Sequence, residues 1–195
     1  MKKILLYGDS NTYGYDPRGF LGMRYPEHVR WTSRVRNYFE GKCKIIEEGQ
    51  NGRCLPKLPG EEVYLTRIIE PLSEDDVLLI MLGTNDVLLT NHPDADMPIR
   101  KMEVLINWII NRNQHPHIVV IGPVPISNIS GDMQIYHDES KRMNAGFEII
   151  CRNEGIQYFD AAGWNIELAY DGVHFSEKGC FQFAEHIIDV VLKEM

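Results

Sequence analysis

Three residues far apart in the chain, Ser10, Asp171 and His174, have the types that a nucleophilic hydrolase needs. A serine hydroxyl is a weak nucleophile at neutral pH and becomes a good one only beside a base, normally a histidine that a third group orients. Asp171 and His174 lie three residues apart, so one short loop can present both. The carboxylate can then accept from one imidazole nitrogen while the other faces Ser10. The order Ser, Asp, His along the chain is one of several that give this geometry. Acyl transfer also needs donors aimed at the oxyanion that develops on the carbonyl. The backbone N–H groups of Ser10 and Gly52 and the side-chain amide of Asn85 are the candidates, and such a donor is worth on the order of 10²–10³ in rate. Glycine at 52 suits a tight turn that presents its N–H to a substrate and has no room for a Cβ.

These residues meet only if the fold carries them to one place. Five short apolar runs read as strands: 3–7, 44–47, 77–82, 117–121 and 156–159. Between the third and fourth, Ile99, Met102, Leu105, Ile106, Ile109 and Ile110 fall at helical spacing, with Arg100, Lys101, Glu103 and Asn107 opposite. Near the carboxyl terminus Ser176 can cap a helix whose inner face is Ala184, Ile187, Ile188, Val191 and Leu192, with Glu177 in its first turn. Weaker helical patterns cover 29–39, 61–69 and 136–153. This alternation predicts an α/β fold, a three-layer αβα sandwich around a doubly wound five-stranded parallel sheet. The clusters Gly8-Asp9-Ser10, Asn51-Gly52 and Gly83-Thr84-Asn85-Asp86 each follow a strand, and Asp171-Gly172-Val173-His174 precedes the last helix. In a parallel sheet all four land on the edge where α/β folds bind ligands.

The 195 residues, 44% of them hydrophobic, fit a single domain spanning 1–195. A formal net charge of -8 argues against nucleic acid as a partner, because phosphate backbones select a basic face. Lys2 and Lys3 precede an apolar stretch too short for a secretory signal, and no run approaches the roughly 18 apolar residues of a membrane span. The expectation is a soluble cytoplasmic protein. Cys43, Cys54, Cys151 and Cys180 are scattered, which suits reduced thiols better than a disulfide framework or a zinc site. His115 and His117 flank a proline at a strand start, with no third ligand nearby in sequence, and are assigned no metal. No cofactor is implied. The stretches 16–26, 49–60, 91–98 and 123–131 read as connections, the first and last long enough to shape a pocket.

Each residue has a plainer reading as well. Asp9 and Thr12 suit a hydrogen-bonded turn or cap better than catalysis, and Asp86 suits a helix start. Asn85 could be a turn residue and His174 a satisfied buried histidine, although its neighbour Asp171 favours the catalytic reading. Tyr13, Tyr15, Trp31 and Trp164 either line an apolar acyl pocket or roof the core. Arg53, beside Gly52, reads as a solvated surface residue rather than a substrate contact.

The segments GDSNTYG, Gly52, GTND and DGVH, in this order from Tyr7 to Phe175, resemble the four sequence blocks of the SGNH hydrolases, also called the GDSL esterase family. The first block reads GDSN where the family's commoner name has leucine, a change beside the nucleophile that leaves the triad residues in place. The resemblance implies the flavodoxin-like SGNH hydrolase fold. It implies Ser10 as nucleophile and first oxyanion donor, Gly52 and Asn85 as further donors, His174 as base and Asp171 as its orienting acid. GDSNTYGYDP, the RWT at 30–32 and the EEGQNGR at 47–53 are similar to the bacterial arylesterase and small-acyl esterase or acyltransferase branch. The expected partner is then a small-molecule ester, and the family's habit of assembling leaves a homo-oligomer open. Two other readings stay in play: a flavodoxin-like phosphate- or flavin-binding protein, which leaves Asn85 and the Asp171/His174 pair without a role, and a metal-dependent phosphatase using Asp9, Asp86, Asp171 and His174, which wastes Ser10.

Overall fold

The computed structural model describes residues 1–19, 23–128 and 131–192. Residues 20–22 and 129–130, which fall within the first and last of the long connections, lie outside it. In chain order its elements are β1 (Lys3–Gly8), α1 (Ser10–Tyr13), α2 (Trp31–Tyr38), β2 (Lys44–Gly49), α3 (Glu62–Ile69), β3 (Val77–Met81), α4 (Thr84–Leu88), α5 (Asp96–Ile110), β4 (His117–Gly122), α6 (Gln134–Asn153), β5 (Gln157–Asp160) and α7 (Glu177–His186). A π-helical turn, Ile187–Val191, extends α7.

All five strands pair in parallel, in the order β2-β1-β3-β4-β5. Side chains alternate along each strand, and in the central strands β1, β3 and β4 both faces are buried. Ile4, Leu6, Val77, Leu79 and Met81 join one core with Trp31, Val35 and Phe183, under α2 and α7. Leu5, Tyr7, Leu78, Ile80 and Val120 join the other with Leu65, Met102, Ile106 and Phe147, under α3, α5 and α6. That is why the strands read as unbroken apolar runs instead of alternating ones. Ser176 caps α7, its hydroxyl accepting from Gly179 N at 3.0 Å.

The chain leaves β1 to one side for β2 and returns to the other side for β3, so the strand order reverses between β1 and β3. Such a switch point opens a crevice at the strands' carboxyl ends. The register brings Gly8 level with both Gly49 and Met81, so the segments that follow these strands start from one height. Two short helices there, α1 and α4, appear in the sequence only as polar clusters. Helix α1 can fold back over the ledge because Gly49 has no side chain: a Cβ there would lie 2.2 Å from the Tyr13 nitrogen.

Candidate active site

Helix α1 opens on Ser10. Asp9 caps it, its carboxylate accepting from Asn11 N at 3.0 Å, and Gly14 ends it in the left-handed region at φ 84°. Ser10 Oγ and His174 Nε2 are 2.9 Å apart, and His174 Nδ1 lies 2.7 Å from Asp171 Oδ2. The other carboxylate oxygen, Oδ1, accepts from the backbone N–H of Val173 and of His174, each at 3.0 Å. Burial alone would raise the Asp171 carboxyl, but these three bonds and the imidazole outweigh it and hold the group below the usual range. A hydroxyl, an imidazole and an ionised carboxylate in this relay can pass the hydroxyl proton to the ring and stabilise the imidazolium that forms.

Asn11 joins the two halves of the relay. Its amide nitrogen donates to Val173 O at 3.2 Å and its oxygen accepts from Phe175 N at 2.9 Å, so it grips the backbone on both sides of His174. Asn11 lies beside Ser10 in sequence, yet only its distance from the 173–175 loop in the fold gives it this task. The Tyr15 ring packs against the imidazole, centroids 4.5 Å apart. Of the four aromatics in question, it alone touches the relay. Trp31 is fully buried, its indole N–H donating to Asn11 O at 2.9 Å, and Trp164 stacks on His186 over the core. Tyr13 lies under the Arg24 guanidinium.

Gly52 and Asn85 meet through the residue between them in space, Arg53. Asn85 Nδ2 donates to the Arg53 carbonyl at 3.0 Å, which commits one amide hydrogen and leaves the second without a partner among the described residues. Among the described residues, the Gly52 N–H donates to no protein acceptor either. The reason for glycine at 52 differs from the sequence-based one. A Cβ there would meet nothing within 4 Å, whereas φ is +71°, a backbone conformation that other residues adopt only at a cost.

Arg53 departs furthest from its expected role, whereas Asp86 sits in the first turn of α4 as its sequence suggests but takes on long-range ties as well. Arg53 is 8% exposed, not solvated. Its guanidinium donates to Gly8 O at 2.9 Å, to Glu48 O, to Gln50 Oε1 at 3.2 Å and to Tyr64 Oη at 3.0 Å, and sits 4.6 Å from the Tyr7 ring. Asp86, also buried, accepts from Leu55 N at 2.8 Å and from Lys101 Nζ at 2.6 Å, which ties the loop after Gly52 to α5. No local pattern announces either role. Asp9, Asp86 and Asp171 thus face different partners, and among the described residues no three His, Cys, Asp or Glu side chains gather to hold a metal ion. Burial pushes the Asp9 carboxyl up to about 6, against the pull of its Asn11 hydrogen bond and of nearby His174 and Arg53.

A cavity of about 750 Å³ adjoins this side of the site, walled by Gly52, Arg53, Cys54, Tyr64 and Arg67. The 49–60 connection and α3 shape it, while Arg18 and Tyr25 of the first connection line a separate hollow with Glu167 and Tyr170. Neither Ser10 nor His174 lines the larger cavity, and Ser10 is itself buried. Cys151 and Cys180 are free thiols in the two cores, each pushed up to about 12 by burial. His115 Nδ1 pairs with Pro116 O and His117 Nε2 with Gln157 Oε1. No described helix is long and apolar enough to cross a membrane.

The sequence profile of the GDSL-like lipase/acylhydrolase family matches residues 6–180. Among solved structures, Est24, a carbohydrate acetylesterase from Sinorhizobium meliloti, superposes with a TM-score of 0.82 at 22% identity, covering 100% of both chains. The native aryl esterase of M. smegmatis gives 0.78 at 23% identity over 98% of this chain and 100% of its own. A lipolytic G-D-S-L family protein of Veillonella parvula gives 0.77 at 18% identity over 98% of each. At these identities the likeness establishes the fold, the five-stranded parallel sheet flanked by helices. No relative among curated proteins matches the chain.

Proposed function

The chain belongs to the GDSL-like lipase/acylhydrolase family, and on that premise we propose that it is a serine esterase that removes or transfers a short acyl group, such as acetyl, from an oxygen ester. The alcohol would be a small alcohol, an aryl alcohol or a sugar. Ser10 attacks the carbonyl as its proton passes to His174 Nε2, and the tetrahedral oxyanion is held by the N–H groups of Ser10 and Gly52 and by the Asn85 amide. Collapse returns the proton from His174 to the leaving alcohol and leaves Ser10 acylated. Water, or a second alcohol, attacks the acyl carbon as its proton passes to His174, and collapse returns that proton to Ser10 Oγ and releases the acyl group. Asp171 keeps the imidazole in the tautomer whose Nε2 accepts.

The observation that carries this reading is the unbroken chain from Ser10 Oγ through His174 to Asp171, at 2.9 and 2.7 Å. Est24 and the aryl esterase, named for carbohydrate acetate and aryl ester chemistry, lend it further support. Among the described residues no inserted domain covers Ser10, which favours short acyl chains. The test is intact-mass analysis after exposure to a fluorophosphonate, paired with hydrolysis of nitrophenyl acetate, butyrate and octanoate. One adduct per chain, absent from Ser10→Ala, with acetate cleaved fastest, is expected. Full esterase activity in Ser10→Ala would overturn the serine mechanism, and faster octanoate cleavage would overturn the short-acyl assignment.

A further inference from the structure

Beyond the residues that touch substrate, we propose that Arg53 is the positioning residue of the oxyanion donors, holding the Ser10 turn, the Gly52 loop and the Asn85 amide in one register. The inference rests on the assignment of those donors given above.

A guanidinium that is 8% exposed is costly unless its donors are satisfied, so where they go is informative. They go to the carboxyl ends of two adjacent strands. Gly8 O, at 2.9 Å, belongs to the last residue of β1, two positions before Ser10. Glu48 O and Gln50 Oε1 flank Gly49, the last residue of β2, and Gln50 also donates its N–H to Gly8 O at 3.2 Å. Tyr64 Oη, on α3, braces the outer edge at 3.0 Å and itself donates to Glu48 Oε2 at 2.5 Å. The plane lies over Tyr7, whose hydroxyl burial pushes up to about 12, so that ring stays neutral. From the same residue the backbone carbonyl reaches the other way and fixes Asn85 Nδ2.

One residue therefore touches the backbone or side chain of all three donor-bearing segments, and Gly52 precedes it directly. A fork of fixed geometry suits this task because it bonds two carbonyls and two side chains at once. A lysine ammonium, a point charge on a flexible stem, cannot. A fold that needed only bulk at this spot would be served by an apolar side chain, since buried ions seldom add net stability over one. The arrangement is thus better explained by precision at the ledge than by stability. Donors displaced by a fraction of an ångström would still bind the ester but would stabilise the oxyanion less.

The experiment compares Arg53→Met, Arg53→Lys, Tyr64→Phe and Asn85→Ala on nitrophenyl acetate, with rates normalised to the fraction of chains that a fluorophosphonate labels. That normalisation removes losses due to misfolding. Arg53→Met is expected to lower kcat by about 10- to 100-fold with KM within threefold, the signature of an interaction made in the transition state. Arg53→Lys should recover little of this, and Tyr64→Phe, which removes one of the guanidinium's acceptors but spares both carbonyl bonds, should cost less than Arg53→Met. In the background of Asn85→Ala the cost of Arg53→Met should shrink by at least threefold, because the two act through shared donors. Where Arg53→Met does not fold, Arg53→Lys replaces it in the cycle. A normalised kcat within twofold of the parent, or losses that multiply independently, would overturn the proposal. If Ser10→Ala is inactive while Arg53→Met is unchanged, only this inference falls; if Ser10→Ala stays active, the reading beneath it falls too.

Discussion

The 171–174 loop and the 50–55 loop face each other across the ledge, and they are held in opposite ways. The first is organised around its own carboxylate. Asp171 takes two amides from its own loop and the ring of His174, all within three residues, and Asn11, Ser10, Tyr15 and Ser127 add contacts from outside. Inside the second, Arg53 donates to Gln50 O and to Gln50 Oε1, both at 3.2 Å, but most of its other ties lead out of the loop. Gly8, Tyr64, Asn85, Asp86 and Lys101 secure it, residues from β1, α3, α4 and α5. One half of the site is written in adjacent residues, the other in tertiary contacts. Errors in the first should be chemical, leaving the fold intact, whereas errors in the second should disturb geometry and stability together.

Asp171→Asn is the sharpest way to isolate the first half. An amide can keep accepting the loop's N–H bonds but favours the wrong imidazole tautomer, so kcat should fall by about 10³–10⁴ while the melting temperature stays near the parent's. Steady-state kinetics with a thermal melt would check it, and a large drop in melting temperature would break the contrast. Asn85→Ala addresses the second half. It should lower kcat by roughly 10²–10³. Because the Arg53 carbonyl loses its donor inside the protein, stability should also drop, by about 1–3 kcal/mol in urea unfolding. Unchanged turnover would remove Asn85 from the oxyanion site, and unchanged stability would show that the tie to Arg53 matters less than its burial suggests.

The smallest effect concerns Asp9, at the hinge between the halves. Its folded-state carboxyl is pushed up to about 6 from an ordinary value of 3.8. The fold therefore favours the protonated form. That contribution is complete below about pH 3.8 and is lost as pH rises through about 6. Asp9→Asn keeps an oxygen for the Asn11 N–H and cannot ionise. The gap in melting temperature, variant minus parent, should grow between pH 5 and pH 7.5. A gap that does not change with pH would mean that Asp9 ionises without cost.

Much of this molecule can be read in its residues because much of it obeys short-range rules. Buried parallel strands are apolar on both faces, so Ile4–Tyr7 and Val77–Leu82 stand out, and the stripe from Ile99 to Ile110 marks α5. Three-residue spacing was enough to pair Asp171 with His174. Other features depend on what the fold brings near. Helices α1 and α4 are one turn long and leave no periodicity to detect. Arg53 looks like any surface arginine until Tyr7, Tyr64 and two strand ends close around it. Asp86 does stand in the first turn of α4, but its ties to Leu55 and Lys101, 31 and 15 residues away, leave no mark in the sequence. The cavity followed the connection that packs on α3, which no count of loop residues could single out.

The bond from the Trp31 indole to Asn11 O gives the enzyme a built-in optical probe. The donor ring is fully buried and packs edge-on against Phe183 at 4.9 Å, while its acceptor is the carbonyl of the residue next to Ser10. Trp164, by contrast, stacks on His186. On the proposed mechanism, acylation of Ser10 would strain the α1 turn beside this bond, so the emission of Trp31 in a variant lacking Trp108 and Trp164 is a signal by which acylation and deacylation could be timed without a coloured substrate.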